Sequence, residues 1–123
     1  MIRYKRIVIH PFGAHLWVFE GDCPMEEVVS WMQKRLSVDV VFPVESSWEA
    51  CTTRAIGGPG LKVLVACMFS GATVSTGCIY HESLHAAYGI LDAHGVPCGT
   101  DNQEIIAYMQ GYIADEIIKF ISK

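Results

Sequence analysis

The octapeptide CIYHESLH, residues 78 to 85, holds His81 and His85 four positions apart, with Glu82 directly after the first histidine. On a helix, residues four apart stand one turn above the other on the same face. Both imidazoles can therefore reach a single ion. Glu82 lies a step of about 100° further round, which suits it to a water on the metal better than to the metal itself. H-E-x-x-H thus offers two nitrogen ligands for Zn2+ and a carboxylate general base for hydrolysis. In such sites zinc lowers the pKa of its water to about 7. The competing reading is three polar residues on an ordinary half-buried helix.

A catalytic zinc needs a third protein ligand and an open position. Glu104, nineteen residues after His85 and near the start of the next expected helix, is the candidate. A helix, a short loop and a second helix can fold back to bring it to the histidines. Asp101 and Glu104 also have the spacing of a capping box with Asp101 as cap, so both roles stand. Tyr108, one turn after Glu104, is a candidate donor to a tetrahedral oxyanion or an aromatic packed between the two helices. Cys78, three residues before His81, could close the fourth position as a thiolate or be a small buried thiol. Asp92 could orient a ligand histidine or sit exposed near the helix end. His10, His15 and His94 have no ligand spacing to anything, and "GGPG" (57–60) is a turn without the lysine of a phosphate loop.

These residues have to be positioned by a scaffold, and the patterning predicts one. "YKRIVIH" (4–10) and "AHLWVFE" (14–20) read as a hairpin about "PFG". "GDCPMEEVVSWMQKRL" predicts a helix with Asp22 or Cys23 as cap and an apolar face of Val28, Val29, Met32 and Leu36, ending near Ser37. "VDVVF" (38–42) predicts a short strand, and "ACTTRAI" (50–56) an extended piece. "KVLVACMF" (62–69) predicts a strand central in the sheet. "ATVST" (72–76) is either an exposed edge able to pair with extended substrate or a connector. The HESLH helix is expected from Thr76 or Gly77 to His94, with Gly95 as its C-terminal cap. Ile79, Leu84, Ala87, Ile90 and Leu91 would face the core. A last helix from Asp101 or Asn102 carries Ile105, Met109, Ile113, Ile117, Phe120 and Ile121 at helical spacing. The order predicts a single α+β domain over 1–123: a mostly antiparallel sheet, one early helix, and two consecutive C-terminal helices carrying the site.

The chain has 123 residues, a net charge of −4 and no Lys/Arg cluster beyond Arg3, Lys5 and Arg6. That charge pattern argues against nucleic acid as a partner. The mean hydropathy of +0.30 is compatible with a homo-oligomer. The longest apolar run, "VLVACMF" (63–69), is too short for a bilayer, and no signal-peptide pattern is present. No membrane contact and a cytoplasmic location are therefore expected. Five cysteines with no CxxC pair read as small hydrophobes in a reducing compartment.

"HESLH" followed by a glutamate on the next helix resembles the gluzincin pattern of the zincin superfamily, the thermolysin-like metallopeptidases. More narrowly, "HESLHAAYGILDAHGVPCGTDNQEIIAYMQGYI" (81–113) is similar to a group of small zincin-like proteins of tailed bacteriophages. The resemblance is carried by the H-E-x-x-H helix, by Ile90-Leu91-Asp92 with Gly95, and by Asp101-Asn102, Glu104 and Ala107-Tyr108. It implies a minimal zincin-like domain, zinc on His81, His85 and Glu104, and Glu82 as base. The expected activity is hydrolysis of a peptide or related amide bond, with a peptide or protein as substrate. For a phage protein it implies the host cytoplasm or the virion as location. The alternative is a non-catalytic, zinc-stabilised phage structural or host-interaction protein, in which the metal pins two helices together. A third reading has no metal, with Asp101 and Glu104 serving only as caps.

Overall fold

In the computed structural model, which describes residues 3–10, 12–20, 25–39, 50–56, 63–69 and 74–121, β1 (Arg3–Ile9) and β2 (Ala14–Glu20) pair antiparallel from Arg3↔Glu20 to Ile9↔Ala14. Gly13 closes the turn at φ 68, its N–H donating to the Ile9 carbonyl. Such a φ is open to glycine without the Cβ clash other residues meet. Helix α1 (Met25–Leu36) follows, and then β3 (Ala50–Ile56) and β4 (Val63–Phe69) pair antiparallel. The sheet order is β1-β2-β4-β3, with β2 and β4 parallel. Two of the three pairings are antiparallel, β4 is an inner strand as its apolar run predicts, and the architecture is α+β.

The period of two along the strands divides the core into two layers. Ile7, Ile9, Ala14, Leu16 and Val18 are buried with the residues of the two C-terminal helices. Trp17 and Phe19, buried on the opposite face, meet Trp31 of α1 and Tyr4, with ring centroids 5.4 to 6.4 Å apart. The sheet is thus covered by α1 on one side and by α2 (Thr76–Ala93) and α3 (Gln103–Ile121) on the other. Each large apolar side chain buried between them contributes about 1.5–3 kcal/mol. No helix among the described residues is long and apolar enough to cross a membrane.

Both ends of α2 follow from local sequence. The Ser75 side chain accepts from the Cys78 N–H at 3.1 Å and caps the first turn. At the other end Gly95 takes φ 73, its N–H donates to Asp92 O at 3.1 Å, and the Val96 N–H donates to Leu91 O at 2.9 Å. This pair of bonds is the Schellman arrangement. It reverses the chain into a single 3-10 turn (Thr100–Asn102) that leads into α3.

Two expectations need correcting, and one is decided between its alternatives. Val38 and Asp39 lie in no strand, because Ser37 at φ 55 turns the chain out of α1 and Val38 is buried as coil; residues 40–42 lie outside the described residues. Of the two readings of 72–76, Val74 and Ser75 follow the connector, with Ser75 as the cap of α2; 72–73 lie outside the described residues. Ile105 is 45% exposed, whereas Met109, Ile113, Ala114, Ile117 and Phe120 form the buried stripe of α3.

A Cβ added at Gly95 would meet nothing within 4 Å, so only the left-handed backbone opposes a side chain there. Gly95→Ala should lower stability by about 1–2 kcal/mol, read from urea denaturation. An unchanged midpoint would show that the reversal after α2 does not depend on this conformation.

Candidate metal centre

Helix α2 packs on β3, β4 and α3, and its phase sorts the HESLH residues into two groups. Ile79, Glu82, Ser83, Ala86, Ala87, Ile90 and Leu91 form the buried side, while His81 and His85 are exposed at its rim. The two ring Nε2 atoms converge to 3.1 Å, with the rings 74° apart in plane. Zinc–nitrogen bonds of about 2.0–2.1 Å at a tetrahedral angle separate two ligand nitrogens by roughly 3.3 Å. The spacing of the two nitrogens is close to that value. Without a cation the same spacing is an N–H···N hydrogen bond between one ring protonated at Nε2 and one that is not.

Glu82 lies beneath that pair, with 6% of its surface exposed. One carboxylate oxygen, Oε1, accepts from the Thr52 hydroxyl at 2.6 Å. The other, Oε2, is 3.8 Å from His81 Nε2. A buried carboxylate is costly unless hydrogen-bonded, and β3 supplies that bond. Sequence reasoning missed Thr52. The only local signal is the alternation within "ACTTRAI"; nothing in its spacing ties it to a glutamate thirty positions later.

The remaining candidates lie elsewhere. Helix α3 runs antiparallel along β1: Lys5 Nζ bonds Glu116 Oε2 at 3.1 Å, and the Arg3 guanidinium bonds both Glu20 and the Phe120 carbonyl. The first turns of α3 consequently face the far end of β1. There Glu104 and Tyr108 line a groove of about 670 Å³ with Val8, Ile9, His10 and Met109. Glu104 is exposed and Tyr108 is 78% exposed. Because β1 and β3 are the two ends of the sheet order, this groove belongs to the β1 side and the Thr52–Glu82 bond to the β3 side. Gln110 of α3 instead reaches α2 just before HESLH, its Nε2 donating to Tyr80 O at 3.0 Å. The structure thus brings His81, Glu82 and His85 together and does not bring Glu104 or Tyr108 to them.

Among the described residues, no group of three or more His, Cys, Asp or Glu is placed to hold a metal ion. Comparison with protein-family models, curated proteins and solved structures finds no match. The centre is defined, then, by two converging imidazoles above a braced carboxylate. Around it, Cys78 is half-buried in the first turn of α2, and Asp92 is exposed beside Tyr88 and Pro97. Asp101 and Glu104 form no capping box; Gly99 stands at the N-cap of the 3-10 turn without a side-chain bond. His94 ends α2, with Nδ1 2.7 Å from Ile90 O and its ring against Phe12.

The exposure of the histidines and the burial of the glutamate separate their contributions to stability. With chelator present, His81→Ala and His85→Ala should each change unfolding free energy by no more than about 0.5 kcal/mol. Glu82→Ala should cost about 1–3 kcal/mol, through the lost hydrogen bond and the space it opens. Denaturant midpoints of the three variants test this, and a large loss at either histidine would mark it as structural in its own right.

Proposed function

We propose that this chain is a zinc-dependent hydrolase of peptide or related amide bonds, with His81 and His85 as zinc ligands, Glu104 as third ligand and Glu82 as general base. The observation that carries the reading is the 3.1 Å convergence of the two Nε2 atoms, with Glu82 Oε2 3.8 Å from one of them. A bound zinc would supply Lewis acidity toward a carbonyl and an acidified water. The chain's own part begins with the Nε2 lone pairs of His81 and His85, which must both be unprotonated to act as ligands. Glu82 Oε2 then accepts a proton from the attacking water and passes it to the leaving nitrogen. Tyr108 is the proposed oxyanion donor and acts with Glu104, since both lie on the first two turns of α3. Glu104 is exposed, and this reading requires its carboxylate to leave the groove beside β1 for the histidine pair. The substrate would be a peptide or protein. A cytoplasmic site of action, in the host if the phage resemblance holds, accompanies this reading.

The position of Glu104 in the β1 groove favours a second reading: a non-catalytic protein in which zinc on the histidine pair stabilises an interaction surface. The two readings separate on Glu82 and Glu104. Under the first, the reconstituted protein holds one zinc per chain, and Glu82→Gln keeps the metal while hydrolysis falls by about 10²–10⁴-fold. Glu104→Gln should weaken zinc affinity by at least about tenfold. Equal cleavage of a peptide library by wild type and Glu82→Gln would end the hydrolase reading. Absence of stoichiometric zinc after reconstitution would end both.

A further inference from the structure

We propose that Thr52 is the positioning residue for Glu82: its hydroxyl holds one carboxylate oxygen so that the other is presented to the His81–His85 pair. The catalytic consequence rests on the hydrolase reading above; the positioning itself is a property of the metal-free chain.

A threonine hydroxyl has one proton to donate. It lies 2.6 Å from Glu82 Oε1 and 3.4 Å from Glu82's own backbone carbonyl, so of these two acceptors the carboxylate is the closer and better placed. The shorter distance lies within the ordinary O–H···O hydrogen-bond range and the longer one lies outside it. Thr52 can act as a fixed point because both its backbone and its side chain are constrained. It pairs with Cys67 in the β3–β4 register, and β-branching restricts its χ1.

Glu82 has no comparable constraint of its own. Its terminal torsion is broad and twofold, so the two oxygens can exchange by rotation. With Oε1 held on β3, the carboxylate plane is set and Oε2 is left 3.8 Å from His81 Nε2. The donor comes from another element of the fold, thirty positions away in sequence. The carboxylate is therefore oriented relative to the sheet as well as to its own helix.

The test compares Thr52→Val, which keeps the shape and removes the donor, with Thr52→Ser, which restores it; Thr52→Ala replaces the valine variant should that fail to show a cooperative thermal melt. In metal-free protein, the ¹³C resonance of the Glu82 side-chain carboxylate, assigned by its loss in Glu82→Gln, should move in the donorless variant and stay near wild type in Thr52→Ser. Zinc uptake should be equal in all of them. In the reconstituted protein, kcat should fall about 10–100-fold without the donor, with KM changed by less than about threefold, and recover in Thr52→Ser. A carboxylate resonance that stays in place without the donor overturns the proposal, as does an undiminished kcat. If the wild type takes up no zinc or cleaves nothing, the hydrolase reading fails, and the resonance comparison still decides the positioning.

Discussion

A carboxylate on the inner, mostly apolar side of a helix is the constraint around which this molecule is arranged. Ile79, Ala86, Ala87, Ile90 and Leu91 press α2 into the core, and Glu82 goes in with them. That burial is tolerable only where a donor waits. Helix α2 must therefore lie where β3 presents Thr52. With α2 set against β3 and β4, the Schellman reversal at Gly95 turns the chain back, and α3 fills the sheet surface left over β1.

Local chemistry made much of this legible. Ser75 and Gly95 carry their instructions in their own residue types, so α2 follows from the sequence to within a residue or two. The uninterrupted apolar run of β4 likewise signals an inner strand. Elsewhere apolar character misleads, because it reports burial and not conformation. Val38 is buried without being a strand, and Ile105 continues the helical stripe of α3 yet borders a groove. The parallel pairing of β2 with β4 and the lateral placement of α3 arise from sheet order, which no local pattern encodes.

The candidate site divides along the same line. The spacing of His81 and His85 is a property of one helix, and the convergence of their rings follows from it. The partner of Glu82 and the position of Glu104 depend on which strand each helix covers. Spacing alone could nominate Glu104 but not rule on its neighbours, and α3 running antiparallel to β1 carries it toward His10. The bond from Gln110 to the Tyr80 carbonyl sets that turn of α3 beside the start of α2.

The crossover from β2 to β4 leaves residue 20 and returns at residue 63, with α1 and β3 inside it. Closing a loop of that length costs roughly 3 kcal/mol of chain entropy, recovered only as the strands dock. Thr52 sits within the closed segment, so the brace on Glu82 exists only once β3 has docked beside β4. The histidine pair needs no more than two turns of helix. The two halves of the site thus differ in contact order: loss of β3 from the sheet would free the carboxylate while leaving the imidazoles paired on α2.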